Sequence, residues 1–245
     1  PPDACCQDDA AILKDAEHLI DQFHDPSRFS MLRIAIAPCA PFNVTESLMQ
    51  ETIRLARDRG VRVHTHLAET VDETVYCRER YGVRPVELME RWGWLGPDVW
   101  FAHCVQLNED EIRLFAERGV SVAHCPSSNC RLGSGIAPAP ALTRAGVAVG
   151  MAVDGSSSND SSSMLEELRR ALLVHRAVGG PAATDVDMVL GWATRGGARV
   201  LGREDTGVIA PGYAADLALF RVDTLDYAGG SVHDPLAALL MCGNS

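Results

Sequence analysis

Five short apolar runs, each followed by a longer amphipathic stretch and each ending in polar residues, constrain this chain more than any other feature. They are LRIAIAPCAP (32–41), VRVHTHLAE (61–69), VWFAHC (99–104), VSVAHCP (120–126) and VAVGMAVDG (147–155). Runs of this length and apolarity read as strands, and most are too apolar to leave one face in water, so they belong to a parallel sheet covered by helices. The stretches between them supply the helices. ESLMQETIRLARDRG opens after Thr45, an N-cap residue type, and stops at Gly60. DETVYCRERYG, PVELMERWGWL, NEDEIRLFAERG and SMLEELRRALLVHRAVGG follow the same logic, with a further helical segment over 185–201.

The strand ends narrow the α/β class further. Each run closes on chemically loaded residues (PCAP, HTHLAE, AHC, AHC, VDG). Reactive groups at the C-terminal ends of consecutive strands are the mark of a (β/α)8 TIM-type barrel, whereas a doubly wound sheet gathers them at one switch point. The expected barrel portion covers 1–202 as strands 4 to 8 of eight, lacking its first strands. PPDACCQDDAAILKDAEHLI at the start holds neither an initiator Met nor an apolar signal core, so the chain is expected to begin in mid-protein. Over 203–245 the texture changes to a Gly-rich turn and an alternating strand, GVIAPGYAADLALFRVDTLDYAGG, a separate small β element.

Composition excludes several partners. The net charge of −11 comes with no Lys/Arg cluster, which argues against a nucleic-acid polymer. No apolar run approaches the roughly 20 residues a membrane span needs. The eight cysteines are scattered, and Cys39, Cys104 and Cys125 lie inside apolar runs, so they are expected as reduced, buried thiols in a cytoplasmic protein.

Alternation along VRVHTH puts His64 and His66 on one face. His66 is nearer the strand end and is the candidate for a metal, with Glu69 within reach, while His64 is assigned to packing; a strand histidine can also be purely structural. His103, His124 and Asp154 each end an apolar run, and a carboxylate there needs a cation or several donors. Three imidazoles and two carboxylates at one mouth suit one divalent ion such as zinc. The rival reading, a structural zinc site built from the two His-Cys pairs, suffers because neighbouring strand residues face opposite ways; nucleophilic roles for Cys104 or Cys125 conflict with their apolar flanks. The loops CPSSNCRLGSGIAP (125–138) and DGSSSN (154–159) offer donors to a polar substrate or simply a loop and a helix cap. His18, His24, His175 and His233 read as ordinary, Arg169-Arg170 as a solvated face and the RWGWLG tryptophans as packing.

Taken together, H-x-x-E at 66–69, AHC at 102–104 followed by L-x-x-x-E-I, HCPSSNCRLGSGIAP, VDGSSSND and GVIAPGYAADLALF resemble, in order and spacing, the nucleobase and triazine deaminase branch of the amidohydrolase superfamily. The resemblance runs from about residue 32 to the end. It implies a distorted barrel plus a small β-sandwich, of which 203–245 would be a C-terminal part, and hydrolytic deamination with one divalent metal, zinc first and iron as the alternative. By matching position, His66 and Asp154 would be metal ligands. Glu69 would carry a proton to a ring nitrogen, His103 would orient the attacking water, and Asp154 would also act in proton transfer. Asn129 and Asn159 match polar positions of the motif loops and are assigned, with Gln106, to substrate binding; Gln106 could equally be structural. The implied substrate is a small amino-substituted heterocycle, 8-oxoguanine first, isoxanthopterin next, and guanine, cytosine, S-adenosylhomocysteine or s-triazines behind. A homodimer or higher homo-oligomer is expected, with no membrane partner. The family's first H-x-H metal pair has no counterpart here, since H64-T65-H66 carries Glu69 at the strand-five spacing. A catalytically inactive binding relative is the alternative from outside enzymology.

Overall fold

A computed structural model describes residues 6–243. Five strands run in chain order in one sheet: β1 (Ala35–Ile36), β2 (Arg62–Leu67), β3 (Val99–His103), β4 (Ser121–His124) and β5 (Ala148–Met151). By their internal contacts the residues fall into two compact units, Pro1–Val122 and Ala123–Ser245, the division lying within β4.

In the first unit β1 pairs with β2 and β2 with β3, both parallel, with His64 opposite Trp100 and His66 opposite Ala102. The helices are α1 (Asp9–Phe23), α2 (Glu46–Arg59), α3 (Val71–Tyr81), α4 (Pro85–Arg91) and α5 (Glu109–Arg118). Thr45 caps α2 through its hydroxyl and Gly60 ends it at φ 65, as its sequence requires. Val63, Thr65 and Leu67 of β2 are buried, and α2 buries Met49, Ile53 and Ala56. Of these, Val63, Leu67, Met49 and Ile53 each contribute about 1.5–3 kcal/mol on burial. Trp92 and Trp94 pack as expected, the Trp94 indole N–H donating to the Met49 carbonyl at 2.9 Å.

The second unit holds β5 with α6 (Pro126–Leu132), α7 (Ala139–Arg144), α8 (Met164–Gly179), α9 (Val186–Gly191) and α10 (Gly197–Val200), then α11 (Gly230–His233) and α12 (Pro235–Cys242). A π-helical turn, Trp192–Gly196, joins α9 to α10 and lies on β5. Only glycine fits at 196, because a Cβ there would come within 2.1 Å of the Val149 carbonyl oxygen.

Several expectations change. The stretch after Cys125 is a helix, α6, because Pro126 can occupy its first turn and Gly133 closes it at φ 72. Among the described residues of 203–243 no strand forms; Leu217 and Leu219 alternate as a strand would, but they are exposed and no ladder pairs them. Cys104 and Cys125 are buried, but Cys39 is exposed, since the two-residue β1 ends before it. Arg169 and Arg170 are not simply solvated: Arg169 donates to the Leu240 carbonyl at 2.7 Å and Arg170 to the Ser127 hydroxyl.

Candidate active site

The site residues stand where the strands stop, and there the backbone is strained. Of six described non-glycine residues with positive φ, four end strands beside predicted site residues or are such residues: Ala68 (51°), His103 (69°), Cys104 (51°) and Asp154 (63°). A left-handed non-glycine residue costs on the order of 1–3 kcal/mol and persists only where its surroundings hold it.

In the first unit, His66 is half-buried and its Nδ1 lies 2.6 Å from the Cys39 carbonyl oxygen. That oxygen can only accept, so Nδ1 carries a proton, which in a neutral imidazole leaves the Nε2 lone pair for a metal, the arrangement of a ligating imidazole with its outer hydrogen bond in place. The same carbonyl accepts from the His66 backbone N–H at 3.0 Å and the Thr65 hydroxyl at 2.9 Å. His103 is buried, its ring centroid 5.3 Å from that of His66, and the two residues offer ligand atoms within 4.8 Å of each other. Strict alternation would align His103 with Leu67, its register partner on the helix-facing side. The left-handed turn at His103 and Cys104 breaks that alternation. His103 Nε2 also lies 3.7 Å from Glu69 Oε2. Thus His66, His103 and Glu69 come together as their strand ends suggest.

His64 points along the same face as His66 and stacks on Trp100 at 5.1 Å and 8°, a packing role. Gln106 is anchored through its backbone: its N–H donates to the Ala68 carbonyl at 2.8 Å, and its carbonyl accepts from Arg84 at 2.7 Å. Arg84 is held in turn by the Glu111 carboxylate.

Sequence reasoning missed Glu73. Its buried carboxylate accepts the N–H of Ala68 on one oxygen and of Glu69 on the other, each at 2.9 Å. Burial is the main cause that pushes its pKa up to about 7. The signal was present as T-x-x-E at 70–73, a capping-box spacing, but Glu73 reaches past Thr70 into the site turn.

In the second unit, Asp154 accepts from the Gly155 N–H at 2.7 Å and the Ser158 hydroxyl at 3.1 Å, bonds that fix the carboxylate's orientation. Asn159 is buried, and its amide donates to the Val153 carbonyl at 2.7 Å and to Glu167 at 2.9 Å. Glu167, fully buried and also missed, accepts the Ser127 N–H at 3.0 Å, so it ties the turn after β5 to the start of α6, where Asn129 is buried. His124 Nε2 lies 3.1 Å from Nε2 of His175 on α8, and Trp192 packs T-shaped against both rings. His175 is therefore no ordinary surface histidine; it is buried, and burial depresses its pKa to about 4.

Imidazoles and carboxylates on strained turns at the strand ends of a parallel α/β sheet are a donor set of the kind that can hold a divalent metal. The chain belongs to the amidohydrolase family, whose pattern it matches over residues 5–239. It is 48% identical over 242 residues to an 8-oxoguanine deaminase of Pseudomonas aeruginosa, covering 99% of this chain and 54% of that protein. It is 41% identical over 241 residues to an isoxanthopterin deaminase of an unknown prokaryotic organism, covering 92% of this chain and 50% of that protein. An atrazine chlorohydrolase from Arthrobacter aurescens, in a crystal structure with zinc, superposes with a TM-score of 0.95 at 38% identity, covering 100% of this chain and 54% of that one. The chain thus spans about half the length of the relatives it matches. Among the described residues no helix is long and apolar enough to cross a membrane.

Proposed function

We propose that the protein containing this chain is a hydrolytic deaminase that releases ammonia from an amino-substituted heterocycle, with an oxidised purine such as 8-oxoguanine as its substrate. The observation that carries this reading is the grouping in the first unit: His66 with Nδ1 committed to a carbonyl, His103 beside it and the Glu69 carboxylate 3.7 Å from His103. The 48% identity to an 8-oxoguanine deaminase supports the substrate.

The donor set fits a divalent metal, zinc first and iron as the alternative, held by His66 and Asp154 with ligands from elsewhere in the protein. When bound, such an ion lowers the pKa of water to about 7. The side chains do the rest. Asp154 takes a proton from the attacking water while His103 orients it, and the new C–O bond forms at the ring carbon bearing the amino group. Glu69 gives its proton to the adjacent ring nitrogen. Asp154 then returns its proton to the exocyclic nitrogen, the C–N bond breaks, ammonia leaves, and the hydroxyl proton passes back to Glu69 as the carbonyl forms. Gln106, Asn129 and Asn159 belong to the substrate side of this reading. For Asn159 the internal bonds to Val153 and Glu167 favour shaping the pocket wall.

We extend the proposal to a cytoplasmic enzyme acting as a homodimer or larger homo-oligomer, with 1–202 in the barrel and 203–245 joining a small β-sandwich whose partner strands come from elsewhere in the protein. The test is ammonia release by the full-length, zinc-loaded protein from aminopurines, pterins and s-triazines ranked by kcat/KM. 8-Oxoguanine should rank first; isoxanthopterin first would move the substrate to pterins, and no release from any would refute the deaminase reading.

A further inference from the structure

We infer that Glu73 is the positioning residue for Glu69: its carboxylate clamps the backbone turn that aims Glu69 at the reacting centre. This rests on the deaminase reading of the site. Both Glu73 oxygens are used, one on the Ala68 N–H and one on the Glu69 N–H, each at 2.9 Å. The clamped turn is the strained one, with Ala68 at φ 51, so the backbone carrying Glu69 adopts a conformation that an alanine does not choose unaided. Glu73 itself is fixed, because it sits in the first turn of α3, where the Thr70 hydroxyl accepts its N–H at 3.3 Å. Its burial keeps water from replacing the carboxylate on those amides.

A carboxylate buried at 4% exposure with Arg absent from its hydrogen bonds is a poor stabiliser of a fold, since desolvation opposes it. What it does provide is a fixed direction for the next side chain. Charge-assisted bonds to consecutive amides are short and directional, and a proton donor misplaced by about 1 Å can lose about a hundredfold in rate. Glutamine keeps one acceptor oxygen but turns an NH2 toward the second amide, so it loses one of the two bonds.

The experiment compares Glu73→Gln and Glu73→Asp in the full-length protein. Aspartate keeps the charge but is one methylene too short to hold both amides, so it decides the matter should the glutamine variant fail to fold. With metal content matched, kcat should fall about tenfold to a hundredfold with KM within about twofold. In a Glu69→Gln background the same substitution should lower residual activity no further. In metal-free protein, hydrogen exchange over 67–70 should accelerate at least tenfold while β3 stays protected. Wild-type kcat in both variants, an undiminished loss in the Glu69→Gln background, or unchanged exchange would overturn the inference. Were the unsubstituted protein to release no ammonia from any heterocycle, the deaminase reading would fall, and the exchange arm alone would decide whether Glu73 clamps the turn.

Discussion

Acidification should weaken this protein through the buried His124–His175 pair. The two Nε2 atoms lie 3.1 Å apart, so one must donate and the other accept, and a proton on both nitrogens would break the contact. His175 is 5% exposed, and its pKa falls to about 4 from an ordinary 6.5 because burial opposes its charged form. Well above pH 6.5 neither the folded nor the unfolded chain protonates it, so it adds no pH dependence there. As pH falls, the unfolded chain takes up the proton first, so stability is lost progressively from about 6.5 down to about 4. Between pH 7 and pH 5 the loss is about 2 kcal/mol. Urea unfolding of the full-length protein at pH 7, 6 and 5 measures it, with His175→Gln as the control that keeps a polar partner for His124 without the titration. The variant should lack about 2 kcal/mol of the wild-type loss. Equal pH slopes in the two proteins would refute the account, because the depressed pKa would then have no energetic consequence.

Three further outcomes are expected. Glu69→Gln should lower kcat by about a hundredfold to ten-thousandfold in ammonia release, with metal content unchanged, since general acid–base contributions are of that size. His66→Ala should strip the protein of most of its metal under mild chelation, measured as metal per chain by atomic emission, with melting temperature changing much less; retention of a full equivalent would remove His66 from the ligand set. Gly196→Ala should destabilise by more than about 2 kcal/mol in thermal melts, because the added Cβ meets the Val149 carbonyl oxygen at 2.1 Å and the Gly191 carbonyl oxygen at 2.9 Å.

Much of the site was legible because strand ends are marked by local chemistry. Apolar runs that stop at His66, His103 and Asp154 announce polar groups with something to do, and caps such as Thr45 and Gly60 set the helix between two of the strands almost to the residue. His124 shows the limit of the same argument. It ends an apolar run like the others, yet its partner is His175, 51 positions away on α8, a distance no local pattern can span. Glu73 and Glu167 were hidden for a related reason: each looks like one more acid near the start of a helix, and only burial reveals the amides it holds.

The order of strands and helices, the strand-end placement of the reactive residues and the family pattern were all carried by the linear chain, because hydrophobic period, capping and turn chemistry act over a few residues. Which histidines meet, which ring nitrogen of His66 faces a carbonyl and which carboxylates hold backbone amides came from packing. Those properties depend on desolvation and on hydrogen bonds between residues far apart in the chain, and folding alone brings them together.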